Sequence, residues 1–231
     1  MNNILIVSGG NVDKNVIKEE VEEEYATIIA VDKGIEALEE LDIIPTHIIG
    51  DFDSVDKDIL NKYIDTCRGG FSYLPIIHKL KENKDYTDTN MAMKLALKLD
   101  PEEITLICAT GDRMDHTISN IQDMVMCLEK NVKCKILDKN NEIFIINKNT
   151  IIKNDKKYKY VSLIPLTTEV SGISLKGFKY ELTNHTLKIG ENIGISNEQI
   201  ENEAEILLTK GILIVIKSKD WRESIAYLGN I

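Results

Sequence analysis

Two aspartates that lie two residues apart are the first candidates for chemistry in this sequence. Asp51 and Asp53 fall within residues 50–54 (GDFDS), directly after an apolar run. Carboxylates held this close repel each other, and a divalent cation would relieve the repulsion. Mg²⁺ prefers hard oxygen ligands and is often held by one or two carboxylates together with substrate phosphates. The segment therefore indicates a metal site, with a simple acidic turn as the alternative, and Ser54 is a candidate cap for the helix that follows.

A third carboxylate follows a different apolar run. Asp32 is followed by Lys33 and Gly34. A glycine at this point lets the backbone turn sharply or approach a ligand closely. The alternative is an ordinary strand-to-helix turn in which Asp32 caps the helix N-terminus.

Two more carboxylates open a predicted amphipathic helix that runs to Leu99. Asp85 and Asp88 are three residues apart, so they share one face at the helix start. Acidic side chains at a helix N-terminus are stabilised by the helix dipole, which gives a purely structural explanation for both. Lys84 adds a cation beside backbone N–H groups, where phosphate oxygens bind well. The pattern is therefore also typical of a phosphate-binding loop.

A fourth segment, residues 110–117 (TGDRMDHT), combines charges of both signs. Arg113 carries a planar fork of donors suited to phosphate. Asp115 is a candidate metal ligand, or the base that takes a proton from the substrate. His116 can orient a neighbour or contact a nucleotide, and a capping or packing role is the alternative.

These four segments indicate more together than any one does alone. Each follows a predicted strand or begins a predicted helix, and open α/β sheets bind ligands at the carboxyl ends of their strands. Phosphoryl-type transfer requires a metal to neutralise and align phosphates, and cations such as Lys84 and Arg113 to stabilise charge on the oxygens. The sequence contains no Gly-x-x-x-x-Gly-Lys-Ser/Thr motif and no serine in a nucleophile-elbow context. A Walker-type site is thus excluded, and a nucleophilic hydrolase has no support.

The elements that must position these loops alternate between strands and helices in the first half of the chain. Continuous apolar runs predict buried strands at residues 4–7, 27–31, 47–50, 104–109 and 134–137. Helical periodicity appears over residues 90–99 and 118–128. The alternation predicts an α/β fold with a mostly parallel sheet covered on both faces.

The pattern changes after about Ile146. Helical periodicity fades, and short alternating segments separated by Gly, Asn and Ser predict antiparallel strands at residues 157–165, 172–180, 187–194, 203–208 and 211–217. Residues 147–157 are polar and form a candidate junction. We therefore predict two domains, residues 1–146 and 147–231.

Composition limits the partners and the compartment. The formal net charge of −10 argues against general binding to nucleic acid or anionic membranes, because both would repel the chain. No apolar run is long enough to cross a bilayer, and the N-terminus has no basic leader. The 4 cysteines show no Cys-x-x-Cys spacing, so we expect free thiols in a reducing compartment and a cytoplasmic protein.

In their order along the chain, these motifs resemble those of thiamine pyrophosphokinases. The similarity continues through the second half and spans nearly the whole chain. Its segments are residues 32–34 (DKG), 50–54 (GDFDS), 85–88 (DYTD), 111–116 (GDRMDH), 162–166 (SLIPL), 172–180 (GISLKGFKY) and 194–197 (GISN).

The resemblance implies a fold, a reaction and an assembly. It implies an N-terminal Rossmann-like α/β domain for ATP and Mg²⁺, and a C-terminal antiparallel β-sandwich for thiamine and dimerisation. The implied reaction moves a pyrophosphoryl group from ATP to the hydroxyl of thiamine and gives thiamine diphosphate and AMP. The implied assembly is a homodimer with active sites built between subunits.

The resemblance also implies roles for individual residues. Four aspartates would gather Mg²⁺ and the polyphosphate and serve in catalysis: Asp51, Asp53, Asp88 and Asp115. Proton removal would involve Asp115 or Asp88. Contacts to the nucleotide would come from Asp32, Lys84, Asp85, Thr87, Arg113 and His116, and thiamine would lie near Ser196 and Asn197. The chain departs from many relatives at Lys33, where they carry a second glycine, and its one tryptophan, Trp221, lies near the C-terminus.

Two other functions are alternatives. One is a metal-dependent phosphohydrolase, or a pyrophosphokinase for another alcohol such as a pterin, which differs in whether AMP forms only when thiamine is present. The other is a non-catalytic module that binds thiamine or a nucleotide, for which so many carboxylates beside phosphate have little use.

Overall fold

Strands and helices alternate through the first of two units into which the chain divides. The computed structural model describes residues 2–68, 75–81 and 85–219, and the two units are Met1–Lys139 and Asn140–Ile231. The elements of the first unit are β1 (Asn3–Val7), α1 (Lys14–Val21), β2 (Thr27–Val31), α2 (Gly34–Glu39), β3 (His47–Gly50), α3 (Lys57–Arg68), β4 (Ile76–Lys79), α4 (Asp88–Lys98), β5 (Glu103–Ile107), α5 (Met114–Asp123), α6 (Val125–Glu129) and β6 (Lys133–Leu137).

The strands of the first unit are all parallel and follow the order β4-β3-β2-β1-β5-β6. Strand β1 is central, and its apolar residues Ile4 to Val7 are completely buried. This burial explains the uninterrupted apolar run in the sequence, because both faces of the strand are covered. The predicted α/β fold with a mostly parallel sheet is confirmed.

Two predicted helices differ in detail from those observed. Helix α4 begins at Asp88, since the Thr87 side chain caps it by accepting a hydrogen bond from the Asn90 N–H at 3.1 Å. The single helix predicted over residues 118–128 is wrong, because the chain forms α5 and α6 there. At the break, the Met124 N–H donates to the Ile121 carbonyl three residues back, so the regular α-helical hydrogen bond to the residue four positions back is interrupted.

The second unit consists of antiparallel strands. They are β7 (Asn141–Ile146), β8 (Thr150–Lys153), β9 (Tyr160–Pro165), β10 (Glu169–Lys176), β11 (Leu182–Lys188), β12 (Glu203–Leu207) and β13 (Leu213–Ser218). Strands β7, β13 and β9 pair in that order, and β11, β10, β12 and β8 form a separate sheet. Buried residues of both sets, such as Leu163, Ile173 and Val215, form one core. The predicted antiparallel architecture is confirmed.

One expectation for the second unit is wrong. The strand predicted over residues 187–194 ends at Lys188, where the chain turns through Gly190 at φ +95°. The polar segment 147–157 contains a strand of its own, β8, which pairs with β12.

Other sequence expectations concern thiols and membranes. Cys108, Cys127 and Cys134 are free thiols, as predicted, and the side chain of Cys67 lies outside the described part of the chain. Within the described residues, no helix has both the length and the apolar character needed to cross a bilayer.

Candidate active site

A cavity of about 470 Å³ lies where the loops after the parallel strands meet. The strand order reverses direction between β1 and β5, and such a switch point opens a crevice for ligands at the carboxyl ends of the strands. The cavity is lined by residues that follow β1, β2, β3 and β5 and by the start of α4. The fold therefore places the candidate site where a doubly wound sheet binds its ligands.

Three carboxylates from different elements converge in the described part of this region. Asp32 follows β2, Asp51 follows β3, and Asp88 begins α4. One oxygen from each lies within 4.8 Å of the others, and all three residues are half-buried. Of the four predicted metal ligands, Asp51 and Asp88 are thus brought together, and Asp32 joins them.

The carboxylate of Asp32 occupies a gap left by a glycine. A Cβ atom at position 50 would lie 1.9 Å from Asp32 Oδ1, so only glycine leaves room for the carboxylate at the end of β3. Asp32 Oδ1 is buried and has no hydrogen-bond partner among the described residues. Buried polar atoms normally have partners, so this oxygen indicates a missing ligand.

The charge state of Asp32 reflects the same crowding. Burial, followed by the nearby carboxylates of Asp88 and Asp51, raises the pKa of Asp32 to about 7. Three hard oxygen donors, one of them buried without a partner, match the ligands that Mg²⁺ prefers. The residues present therefore fit a divalent cation.

Backbone conformation is unusual at three strand ends beside the cavity. Asp32 has φ 44°, Phe52 has φ 64° and Cys108 has φ 53°. Residues other than glycine rarely adopt this left-handed backbone conformation, and it persists only where the surrounding structure imposes it. They turn the chain sharply at the carboxyl edge of the sheet, after β2, β3 and β5.

A bidentate ion pair stands at the start of α5. The Arg113 guanidinium donates from Nε to Asp115 Oδ1 at 2.9 Å and from Nη2 to Asp115 Oδ2 at 2.6 Å. Arg113 holds the pKa of Asp115 at about 2, well below its usual range. Asp115 therefore remains ionised and makes a poor proton acceptor in this arrangement. It lies outside the acid group, which consists of Asp32, Asp51 and Asp88.

Of the other site residues predicted in the first unit, some line the cavity and others do not. Thr87 and His116 line the cavity. Asp53 is exposed, outside the acid group, and its N–H donates to Asp51 Oδ1 at 3.3 Å. Asp85 is exposed and does not line the cavity. Lys84 lies outside the described residues, as does Trp221.

The two residues predicted near thiamine lie in the second unit. Ser196 is exposed, has φ 57°, and its N–H donates to Ser162 Oγ at 3.0 Å. Asn197 is buried, and its amide pairs with the Tyr180 backbone, accepting from the N–H at 3.0 Å and donating to the carbonyl at 2.7 Å. Asn197 thus fixes the loop that presents Ser196.

Sequence reasoning missed the loop after β1. Residues 8–11 line the cavity. Gly10 donates to the Cys108 carbonyl at 2.7 Å, and a Cβ atom there would lie 2.4 Å from the Thr110 carbonyl oxygen. The glycine pair directly after the first strand is the signal that could have found this loop. With it, the fold and site define a doubly wound α/β protein with a ligand cavity beside a cluster of carboxylates.

Comparisons with known proteins identify the family. The family "Thiamin pyrophosphokinase, catalytic domain" matches residues 19–136, and "Thiamin pyrophosphokinase, vitamin B1 binding domain" matches residues 148–213. The thiamine pyrophosphokinase of Bacillus subtilis (strain 168) is 34% identical over 223 residues, covering 95% of this chain and 100% of that protein. The chain belongs to the thiamine pyrophosphokinase family.

Solved structures agree with this assignment. The crystal structure of the Bacillus subtilis thiamine pyrophosphokinase superposes with a TM-score of 0.84 at 31% identity, over 95% of this chain and 100% of that one. The structure of the Geobacillus thermodenitrificans thiamin pyrophosphokinase superposes with a TM-score of 0.80 at 29% identity, over 95% of this chain and 98% of that one. The yeast structure, at 16% identity and a TM-score of 0.77 over 94% and 86% of the chains, shares the fold.

Proposed function

We propose that this chain transfers the pyrophosphoryl group of ATP to the hydroxyl of thiamine, giving thiamine diphosphate and AMP. Family membership supports the reaction. The observation that carries it for this chain is the group formed by Asp32, Asp51 and Asp88 beside the cavity. The thiamine oxygen bonds to the β-phosphorus, the bond from that phosphorus to the oxygen bridging the α-phosphate breaks, AMP leaves with that oxygen, and the hydroxyl proton is released.

We propose Mg²⁺ as the cation of this acid group. When bound, it neutralises phosphate charge and aligns the polyphosphate for in-line attack. The buried, unpartnered Oδ1 of Asp32 and the convergence of Asp51 and Asp88 support these three as ligands. Asp53, next to this group, and Asp115 remain proposed ligands. Asp115 becomes available when the Arg113 guanidinium binds phosphate in its place.

The proton acceptor follows from the same geometry. Asp115 has its pKa held near 2 by Arg113, so it is a weak base while that pair persists. Efficient bases have pKa values nearer the working pH, which disfavours Asp115 and leaves the other candidate, Asp88, which lines the cavity. We therefore favour Asp88 over Asp115 for proton removal.

We propose a division of labour between the two units. The first unit binds ATP and Mg²⁺, and Asp32, Thr87, Arg113 and His116 at the cavity contact the nucleotide together with Lys84 and Asp85. The second unit binds thiamine near Ser196 and Asn197, which is supported by the match of residues 148–213 to the vitamin B1 binding family.

We also propose a cytoplasmic homodimer. The second unit exposes large apolar side chains, among them Ile189 at 63%, Ile193 at 57% and Ile195 at 45%. Exposed aliphatic side chains of this size favour burial in an interface. The free thiols of Cys108, Cys127 and Cys134 support a reducing compartment.

The test is a reaction of the purified chain with ATP, Mg²⁺ and thiamine, followed by chromatography of the nucleotides and thiamine esters. We expect AMP and thiamine diphosphate in equal amounts, with none formed when thiamine is omitted or Mg²⁺ is chelated. Asp51→Asn should abolish both products. Appearance of ADP or phosphate, or of AMP without thiamine, would contradict the proposal. Replacing thiamine with a hydroxymethyl pterin tests the alternative acceptor.

A further inference from the structure

A buried amide and a half-buried carboxylate join the start of α4 to the end of α5. Asn90 is the third residue of α4 and Asp123 the last residue of α5. Asn90 Nδ2 donates to Asp123 Oδ1 at 2.6 Å, and Asn90 is only 8% exposed. The bond therefore ties together two helices that begin beside the cavity, because Asp88 begins α4 and His116 lies in the first turn of α5, and both line the cavity.

This pair is not optimised for stability. Asn90 Oδ1 and Asp123 Oδ2 are both buried, and neither has a hydrogen-bond partner among the described residues. Buried acceptors without partners destabilise the folded state, whereas two apolar side chains of similar shape would avoid that cost. A bond kept under these conditions indicates a role other than holding the fold together.

The first turn of α4 is fixed from several sides. The Thr87 side chain caps it through the Asn90 N–H. Thr89 Oγ1 lies 3.3 Å from Ser8 Oγ, and both residues are buried. Successive helical residues point about 100° apart, so Asp88, Thr89 and Asn90 reach three different neighbours. The direction of the Asp88 carboxylate is thus set by where Thr89 and Asn90 are held.

We propose that Asn90 and Asp123 are positioning residues that hold the first turn of α4 and so set the distance of Asp88 from Asp32 and Asp51. They touch neither substrate nor metal and act through Asp88. The inference rests on the proposed function of Asp88 as a Mg²⁺ ligand.

The test compares Mg²⁺ binding in full-length variants by calorimetric titration, with thermal unfolding as the measure of stability. The double variant Asn90→Leu/Asp123→Leu removes the bond and both unpartnered oxygens. We expect it to unfold at a temperature no lower than the parent but to bind Mg²⁺ about tenfold more weakly, the size found when residues behind a metal ligand are changed. Should the double variant not fold, Asn90→Ala removes the same bond and is titrated at a temperature where it is folded.

Two further variants separate positioning from general stability. Asp123→Asn keeps the acceptor and adds a donor for Asn90 Oδ1, so we expect parental Mg²⁺ affinity and a higher unfolding temperature. Tyr63→Phe removes the 2.9 Å hydrogen bond that the Tyr63 hydroxyl in α3 donates to Glu39 Oε2 in α2. It should lower the unfolding temperature without changing Mg²⁺ affinity.

Parental Mg²⁺ affinity in a folded Leu double variant, or in Asn90→Ala, would overturn the inference. So would unchanged Mg²⁺ binding in Asp88→Asn, because Asp88 would then not be a ligand. If Mg²⁺ binding depends on Asp88 and on the buried pair but AMP does not form with thiamine, the proposed function fails while the positioning role stands.

Discussion

Asp32 Oδ1 lies 1.9 Å from where the Cβ of any residue other than glycine would stand at position 50. The missing side chain at the end of β3 therefore leaves the space that the Asp32 carboxylate occupies after β2. One backbone position without a side chain lets a carboxylate reach the group that also contains Asp51 and Asp88.

The first prediction concerns this gap. Gly50→Ala should displace the Asp32 carboxylate, lower the free energy of unfolding by about 1–3 kcal/mol, as overpacking does, and weaken Mg²⁺ binding. Chemical denaturation and Mg²⁺ titration measure the two effects. In an Asp32→Ala background, Gly50→Ala should lower the free energy of unfolding by much less, because the clashing oxygen is gone. Equal costs in both backgrounds would show that the carboxylate does not occupy the gap.

The second prediction concerns repulsion within the acid group. Asp32→Asn removes one of three crowded charges, so the metal-free protein should unfold at a higher temperature at pH 8. The variant should also lose most of the stabilisation that Mg²⁺ gives the parent. Asp42→Asn is the matched control, because Asp42 is exposed and outside the group. It should behave as the parent in both measurements, and a destabilised Asp32→Asn variant would refute the idea.

The third prediction concerns pH. The pKa of Asp32 in the folded protein, about 7, lies above the usual value for aspartate in an unfolded chain, about 4. Between these values the folded state binds more protons, so this group makes the metal-free protein less stable as pH rises from about 4 to about 7. Mg²⁺ must displace the proton, so its affinity should rise between pH 6 and 8. The rise should flatten in Asp32→Asn, as titrations at several pH values will reveal.

The fourth prediction concerns the exposed ion pair. The side chains of Arg113 and Asp115 are 72% and 65% exposed, so their pairing should contribute little to stability. Arg113→Lys loses the planar fork and should raise the KM for ATP about tenfold while leaving the unfolding temperature unchanged. Lys176→Ala breaks a comparably exposed pair with Glu205 in the second unit and should change neither quantity. An unchanged KM in Arg113→Lys would remove Arg113 from the nucleotide site.

The buried parallel strands could be predicted from the sequence, whereas the polar edge strands β4 and β11 could not. Strands β1 and β2 are apolar after their first residues, Asn3 and Thr27, because both faces are covered. Strand β4 escapes notice because it is four residues long, includes His78 and Lys79, and leaves Ile76 57% exposed. Strand β11 (LTNHTLK) is similarly polar, which explains the misplaced strand over residues 187–194.

The candidate site could be predicted only at the level of loops. Aspartates after apolar runs point to the carboxyl edge of the sheet, and Asp51 and Asp88 do lie together there. That Asp32 joins them depends on a gap at Gly50, which is a matter of three-dimensional fit. The sequence likewise does not reveal that Asp115 is held by Arg113, because two residues at the start of a helix can point in several directions.

The strand order has a consequence for how the chain is synthesised. Strand β1 lies between β2 and β5. In its pairing with β5, Asn3 lies opposite Glu103. During translation the most apolar strand of the sheet therefore leaves the ribosome long before one of its two neighbours exists. Contacts between distant segments slow folding and leave apolar edges open to association. The nascent first unit is thus expected to need protection by a chaperone until residues 103–107 have emerged. The cavity forms later still, because residues between 108 and 120 also line it.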